Sequence, residues 1–249
     1  MPPRPVKAVI LAAGRGTRLE PLTLELPKCA VPVGGVPIVD RMIARLGEAG
    51  IDDIIVVTGH LREVLERHLA ASADPRARAA TLVYNEHYHD WGNFYSLLVA
   101  REAIGGDSFV KLDADVVLDG GVLPALLAAD GPGVLAIDRS PTLGDEEMKA
   151  RVEDGRVVEL NKRMAPARAL GESIGVERID AEIAPLIWEG LARLIELGET
   201  DEYYERAYEL LMRDGVEFGY ADITRCTWTE VDNQADLAHA DQLAGQGLL

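Results

Sequence analysis

An apolar run rich in β-branched residues, Val6–Ala12, empties directly into Gly14-Arg15-Gly16-Thr17-Arg18-Leu19, and no other feature constrains the fold of this chain as strongly. Such a run, ended by a glycine turn, reads as a buried strand. The turn carries two arginines, and Lys28 follows ten residues after Arg18. Backbone N–H groups in a tight turn with cations on both sides are suited to grip a triphosphate. Lone arginines are mostly solvated surface charges. That reading weakens when the charges flank a glycine turn directly after a strand, in a chain of 249 residues whose net charge is −17.

The pattern downstream keeps to one architecture. Apolar strands are expected at 53–58, Thr81–Tyr84, 108–112 and 133–137, and helices at 38–49, 61–70, 94–103 (with Asn93 as N-cap) and 121–129. Residues 70–80 read as a loop. This alternation predicts an α/β fold, a Rossmann-like and mostly parallel sheet with helices on both faces. After residue 137 the pattern changes. Asp154-Gly155 is a hairpin signal between strands at 148–153 and 156–160. Helices at 180–197, 202–213 and 236–243 and strands at 175–179, 216–221 and 227–231 complete an antiparallel, helical second half laid onto the first. The expectation is one domain, with a nucleotide-binding half at about 1–137 and an acceptor-binding half at about 138–249.

Composition narrows the classes. The length, with 48% hydrophobic residues, suits one large α/β domain. No stretch approaches about 18 apolar residues, so no membrane span is expected. The acidic surface repels nucleic acid and anionic lipid, and neither is expected as a partner. The first residues hold no apolar signal region, and Cys29 and Cys226 make neither a disulfide framework nor a metal-ligand spacing, so a reducing cytoplasm is the expected setting. A dinucleotide fingerprint fails because Leu19 stands at the third glycine position and no acid ends the second strand. The Walker pattern is absent.

Leu11-Ala12-Ala13-Gly14-Arg15-Gly16-Thr17-Arg18-Leu19, then Pro21-Leu22-Thr23, then Pro27-Lys28, resembles the signature of the nucleotidyltransferases, the pyrophosphorylases that join a nucleoside triphosphate to a small phosphate monoester. Asp113-Ala114-Asp115 and Trp228-Thr229-Glu230-Val231-Asp232 resemble that family's two metal-binding segments. Within the family, Asn85-Glu86-His87-Tyr88 and Gly92-Asn93-Phe94-Tyr95-Ser96-Leu97 are most similar to small cytidylyltransferases of the phosphocholine and inositol-phosphate type. The resemblance implies a nucleotide-diphospho-sugar transferase fold and CTP as donor. It implies Leu11, Ala12, Ala13, Gly14, Gly16, Thr17, Arg18 and Asp113 around the nucleotide, with Asn85, Gly92, Asn93 and Ser96 at base and ribose. Arg18 would take the β- and γ-phosphates and Lys28 the α-phosphate. Asp115 and Asp232 would hold Mg²⁺, an ion that asks for few, hard oxygen ligands; Asp113, two residues from Asp115, competes for that role. Lys149, Lys162 and Glu172 would meet the acceptor. The plainer readings are that Asn93 or Ser96 caps a helix and that the lysines are exposed strand residues.

The acceptor is expected to be a small phospho-alcohol or phosphonate. Between Tyr95 and Trp188 the only aromatic residue is Phe109, which counts against an aromatic cage for choline. Asp145, Glu146 and Glu147 can hold an ammonium by charge or a polyol by hydrogen bonds. Where sugar-phosphate relatives carry Glu-Lys-Pro, this chain has Glu159-Leu160-Asn161-Lys162-Arg163, which ranks a sugar 1-phosphate uridylyl- or thymidylyltransferase second. A nucleotide-binding regulatory subunit without turnover is the alternative of another class. Tyr203, Tyr204 and Tyr208 read as core or interface packing, and a homodimer through the second-half helices is the expected assembly.

Overall fold

Val6–Ala12 is the central strand, paired in parallel with Ile54–Thr58 on one side and Ser108–Asp113 on the other. Thr81–Tyr84 adds a fourth parallel strand beyond Ile54–Thr58. The computed structural model describes residues 6–139 and 142–249. Successive strand residues face opposite ways, so Ala8, Ile10 and Ala12 enter one core while Val9, Leu11 and Ala13 enter the other. Helices Ile38–Glu48, Arg62–Ala71 and Val122–Ala128 cover the first core, and Phe94–Val99, Ala184–Leu197 and Tyr204–Arg213 the second. With both faces covered, the inner strands Val6–Ala12, Ile54–Thr58 and Ser108–Asp113 are mostly apolar, Lys111 being the buried exception. Among the described residues, no helix is long and apolar enough to cross a membrane.

The second half does not lie on the first; it extends the same sheet. Gly171–Ile179 runs antiparallel against Ser108–Asp113 and also pairs with Gly133–Asp138, which Gly219–Asp222 joins in parallel. The strand starts four residues before the expected 175, because Gly171, Glu172 and Ser173 are too polar to read as a buried strand. Lys149–Glu153 and Arg156–Asn161 form the expected hairpin, with Asp154 and Gly155 both at positive φ (49° and 78°) as a two-residue turn of this hand requires.

Three local expectations change. Residues 70–80 contain a helix, Pro75–Ala79, capped by the Asp74 side chain with proline in the first turn. The expected 94–103 helix breaks into Phe94–Val99 and Arg101–Ile104, and the Asn93 side chain makes no capping bond; its oxygen instead accepts from the Tyr204 backbone N–H at 3.1 Å. Trp228–Glu230 leaves the main sheet and pairs with Val116–Leu118, a short strand not foreseen. That two-stranded ribbon positions the site, since the Val231 N–H donates to the Asp115 carbonyl at 3.0 Å and holds the two segments side by side.

A reciprocal cap anchors the chain just after Asp232. The Asn233 oxygen accepts from the Ala235 and Asp236 N–H groups, while Asp236 Oδ2 accepts from the N–H groups of Asp232 and Asn233. Asn233→Ala is expected to cost about 1 kcal/mol, read as a lower urea midpoint at unchanged slope; an unchanged midpoint would contradict it.

Candidate active site

The glycine turn folds back on its own lysine. Gly16 sits at φ 62°, a conformation that favours glycine, and its carbonyl accepts from the Thr23 hydroxyl at 2.8 Å. A Cβ there would lie 3.0 Å from the Lys28 Cβ and 3.1 Å from Thr23 Cγ2, so the turn and the Lys28–Ala30 segment pack without room for a side chain. The Lys28 ammonium donates to Asp115 Oδ2 at 2.6 Å and to Asp232 Oδ1, and Arg18 pairs with Asp232 Oδ2 at 2.7 Å. Four chain segments thus meet at one point. Burial alone would lower the lysine pKa, but Asp115 and Asp232 outweigh it and hold Lys28 above its ordinary value. Burial likewise works to raise the Asp232 pKa, and Lys28 and Arg18 bring it below the usual carboxylate range.

Two carboxylates that reach one ammonium stand close enough to share a single cation. Asp115 and Asp232 are therefore the residues that could hold a divalent ion. Among the described residues no group of three or more His, Cys, Asp or Glu side chains is placed to hold a metal ion.

A cavity of about 230 Å³ opens beside this cluster. Leu11, Ala12, Ala13, Gly14, Arg18 and Lys28 line it from the first strand and its turn, and Asn93, Ser96, Asp113, Asp115 and Asp232 line it from elsewhere. Lys162 and Glu172 reach it from the second half. Five anticipated residues do not line it. Gly16 supports Lys28 from behind, and Thr17 is exposed on the turn. Asn85 is buried and spends its amide on the Ser96 hydroxyl (2.9 Å) and its oxygen on the His87 N–H (2.8 Å). Gly92 packs against the chain at 200–202, where a Cβ would fall 1.9 Å from the Glu202 carbonyl oxygen. Lys149 is not an exposed strand lysine: its ammonium is buried and donates to the Lys162 and Glu147 carbonyls at 2.7 and 3.2 Å.

Asp113 belongs to a buried polar network. Tyr204 Oη donates to its Oδ2 at 2.6 Å, and Lys111 Nζ lies 3.2 Å from the same oxygen. Lys111, fully buried, also donates to the Gly175 carbonyl at 3.1 Å and sits 3.6 Å from the Tyr204 ring centre. It forms an ion pair with Glu177 Oε2 at 2.8 Å, at an angle that makes no hydrogen bond, and the Glu177 oxygens find no other donor. Gly175 is at φ 72°, and a Cβ there would meet Asp113 Oδ2 at 2.3 Å.

Several cavity residues had no role in the sequence reading. Tyr203, assigned to packing, is half exposed and lines the cavity with Met148, Ser173, Glu205 and Glu230, while Glu146, expected to meet an ammonium or a polyol, lines it as well. Glu230 carried a signal: on an extended segment it shares a face with Asp232. Burial, then Asp115 and Asp232, push its pKa up to about 8. Glu205 and Tyr203 stand at the start of a helix with no motif, and nothing local marks them.

Burial, ahead of any neighbouring charge, raises Glu172 and Glu205 to about 7 and Glu177 to about 8. An unfolded glutamate titrates near 4.3, so the folded chain binds more protons than the unfolded chain between about pH 4.5 and 8. Stability from these groups is present below that window and is lost as pH rises through it. The urea midpoint is expected to be lower at about pH 8.5 than at about pH 6; an equal or higher midpoint at pH 8.5 would contradict this.

Comparison with known proteins bears on the family and the fold. Residues 7–130 match the nucleotidyl transferase family model. The choline-phosphate cytidylyltransferase of Streptococcus pneumoniae is 43% identical over 110 residues, 44% of this chain and 44% of the relative. The CMP-5′-(3-aminopropyl)phosphonate synthase of Streptomyces rubellomurinus is 29% identical over 248 residues, 95% of this chain and 38% of the relative. The aligned stretches thus span less than half the length of either relative. The solved CTP:phosphocholine cytidylyltransferase of Streptococcus pneumoniae superposes with a TM-score of 0.78 at 26% identity, covering 97% of this chain and 99% of that one. With its glycine turn, its converging cations and carboxylates, and its sheet all in this company, the chain belongs to the nucleotidyl transferase family.

Proposed function

We propose that the chain is a Mg²⁺-dependent cytidylyltransferase that joins CMP from CTP to a small phosphate- or phosphonate-bearing acceptor and releases pyrophosphate. The observation that carries this reading is the meeting of Arg18, Lys28, Asp115 and Asp232 at the mouth of one cavity. An acceptor phosphate oxygen attacks the α-phosphorus. Its new bond forms as the bond from the α-phosphorus to the bridging oxygen breaks, and that electron pair leaves with pyrophosphate. No covalent nucleophile is required, and catalysis is positioning plus charge neutralisation. Lys28 takes the growing charge on the α-phosphate, and Arg18 follows the charge onto the leaving group. Asp115 and Asp232 are the residues that would hold Mg²⁺, whose charge would add to the neutralisation of the phosphate oxygens.

The relatives' substrates support CTP, and the acidic side chains of the cavity support an acceptor with a cationic nitrogen. Glu146, Glu172 and Glu205 line it together with Lys162, and Tyr203 supplies one aromatic face. Cys29 and Cys226 are both free thiols, in keeping with a reducing compartment, the cytoplasm. The test is pyrophosphate release. It should need CTP, Mg²⁺ and acceptor together, and no release across a panel of phosphomonoesters and phosphonates would overturn the reading. Replacing CTP by UTP or dTTP, with glucose 1-phosphate as acceptor, tests the sugar-nucleotide alternative.

A further inference from the structure

Two residues that line the cavity, Glu205 and Ser173, each carry a buried polar atom, Oε2 and Oγ, with no hydrogen-bond partner within the protein. Glu205 is 6% exposed and Ser173 3% exposed. Buried polar atoms are nearly always satisfied, and leaving one unmade is costly. The Lys111 ammonium is already shared among Asp113, Glu177 and the Gly175 carbonyl, and the buried Tyr208 hydroxyl, itself without a partner, makes no hydrogen bond to Glu205. Glu205 also borders a neighbouring groove of about 890 Å³, sharing that position with Met148, Lys162 and Tyr203. It therefore stands where the cavity meets that groove, which Lys28, Asp115 and Asp232 do not line, and this junction would receive the acceptor's distal group.

What these atoms lack can be stated chemically. Once ionised, a carboxylate only accepts, so the Glu205 anion lacks a donor, and the Ser173 hydroxyl can accept or donate. An amine with several N–H bonds can serve both. A quaternary ammonium has no N–H bond and leaves both unpaired; it is normally held by aromatic faces. Here the cavity offers one such face, Tyr203, and the Lys162 ammonium already lies 5.0 Å from its centre. We propose that Glu205, assisted by Ser173, is the specificity-determining residue for the acceptor, and that it selects phosphates or phosphonates whose distal group is an amine bearing N–H bonds over those bearing a quaternary ammonium. This rests on the reading of the chain as a cytidylyltransferase.

The experiment measures kcat and KM of the full chain with CTP and Mg²⁺ for 2-aminoethylphosphonate, phosphoethanolamine and phosphocholine, in the wild type, Glu205→Gln and Ser173→Ala. The wild type is expected to favour the two amines over phosphocholine by about tenfold or more in kcat/KM, as a site built for an N–H donor does. Glu205→Gln is expected to lose about tenfold or more on the amines, mainly through the acceptor KM, with the KM for CTP unchanged and the preference narrowed. Ser173→Ala should shift the same ratio in the same direction by less, and it decides the matter if Glu205→Gln does not fold. Equal or better use of phosphocholine by the wild type, or an unchanged ratio in both variants, would overturn the assignment. Turnover without discrimination removes the role of Glu205 alone; no turnover with any acceptor removes the cytidylyltransferase reading and this proposal with it.

Discussion

Lys28→Ala should lower kcat by about two to three orders of magnitude while leaving the fold intact. Loss of one preorganised donor to developing charge in a water-poor site has an effect of that size. Lys28 is the group placed to act this way because it is mostly buried, charged, and held at the junction of the glycine turn and the two carboxylates. In the unliganded chain its ammonium is already shared by Asp115 and Asp232, so the variant leaves those carboxylates facing each other without a protein cation between them. The sheet and both cores lie behind that point, and circular dichroism and a cooperative melt should survive. A variant that keeps more than about a tenth of wild-type kcat would remove Lys28 from the α-phosphate.

Lys111→Met should have the largest effect on stability, about 3–5 kcal/mol, the range for removing one partner of a buried ion pair. Lys111 has no exposed surface, and it is the cation facing Asp113 and Glu177. Without it, both carboxylates remain buried next to the Tyr204 hydroxyl, and they must be protonated or exposed. A loss of that size is a large fraction of the 5–15 kcal/mol that holds a typical domain together. The double variant Lys111→Met/Glu177→Leu should recover much of it, since apolar replacement of a whole buried pair is often neutral. Urea unfolding measures both. A single variant as stable as the wild type would show that the ammonium contributes nothing, and a double variant no better than the single would assign the loss to packing instead.

The parts of the fold visible in the chain were those written in short-range patterns. Val6–Ala12 and Thr81–Tyr84 were legible to the residue because an apolar run ends where a turn signal begins. Asp154-Gly155 announced its hairpin because few other residues accept positive φ in succession. What failed depended on distant partners. Asn93 looked like a cap, but its oxygen is taken by the Tyr204 backbone, far along the chain. Gly171–Ile179 looked too polar at its start, because Glu172 and Ser173 line the cavity and not the core.

By itself the sequence determined the layered α/β architecture and the glycine turn with its flanking cations, since hydrophobic period, glycine φ and the closeness of Arg18 and Lys28 are all local. Only the tertiary structure decided how the second half joins, that Lys149 spends its charge on backbone carbonyls, and that Tyr203 and Glu205 line the cavity. The reason is the same in each case. A buried charge or an unpaired polar atom is defined by what surrounds it in space, and in this chain those surroundings come from strands and helices scores of residues apart.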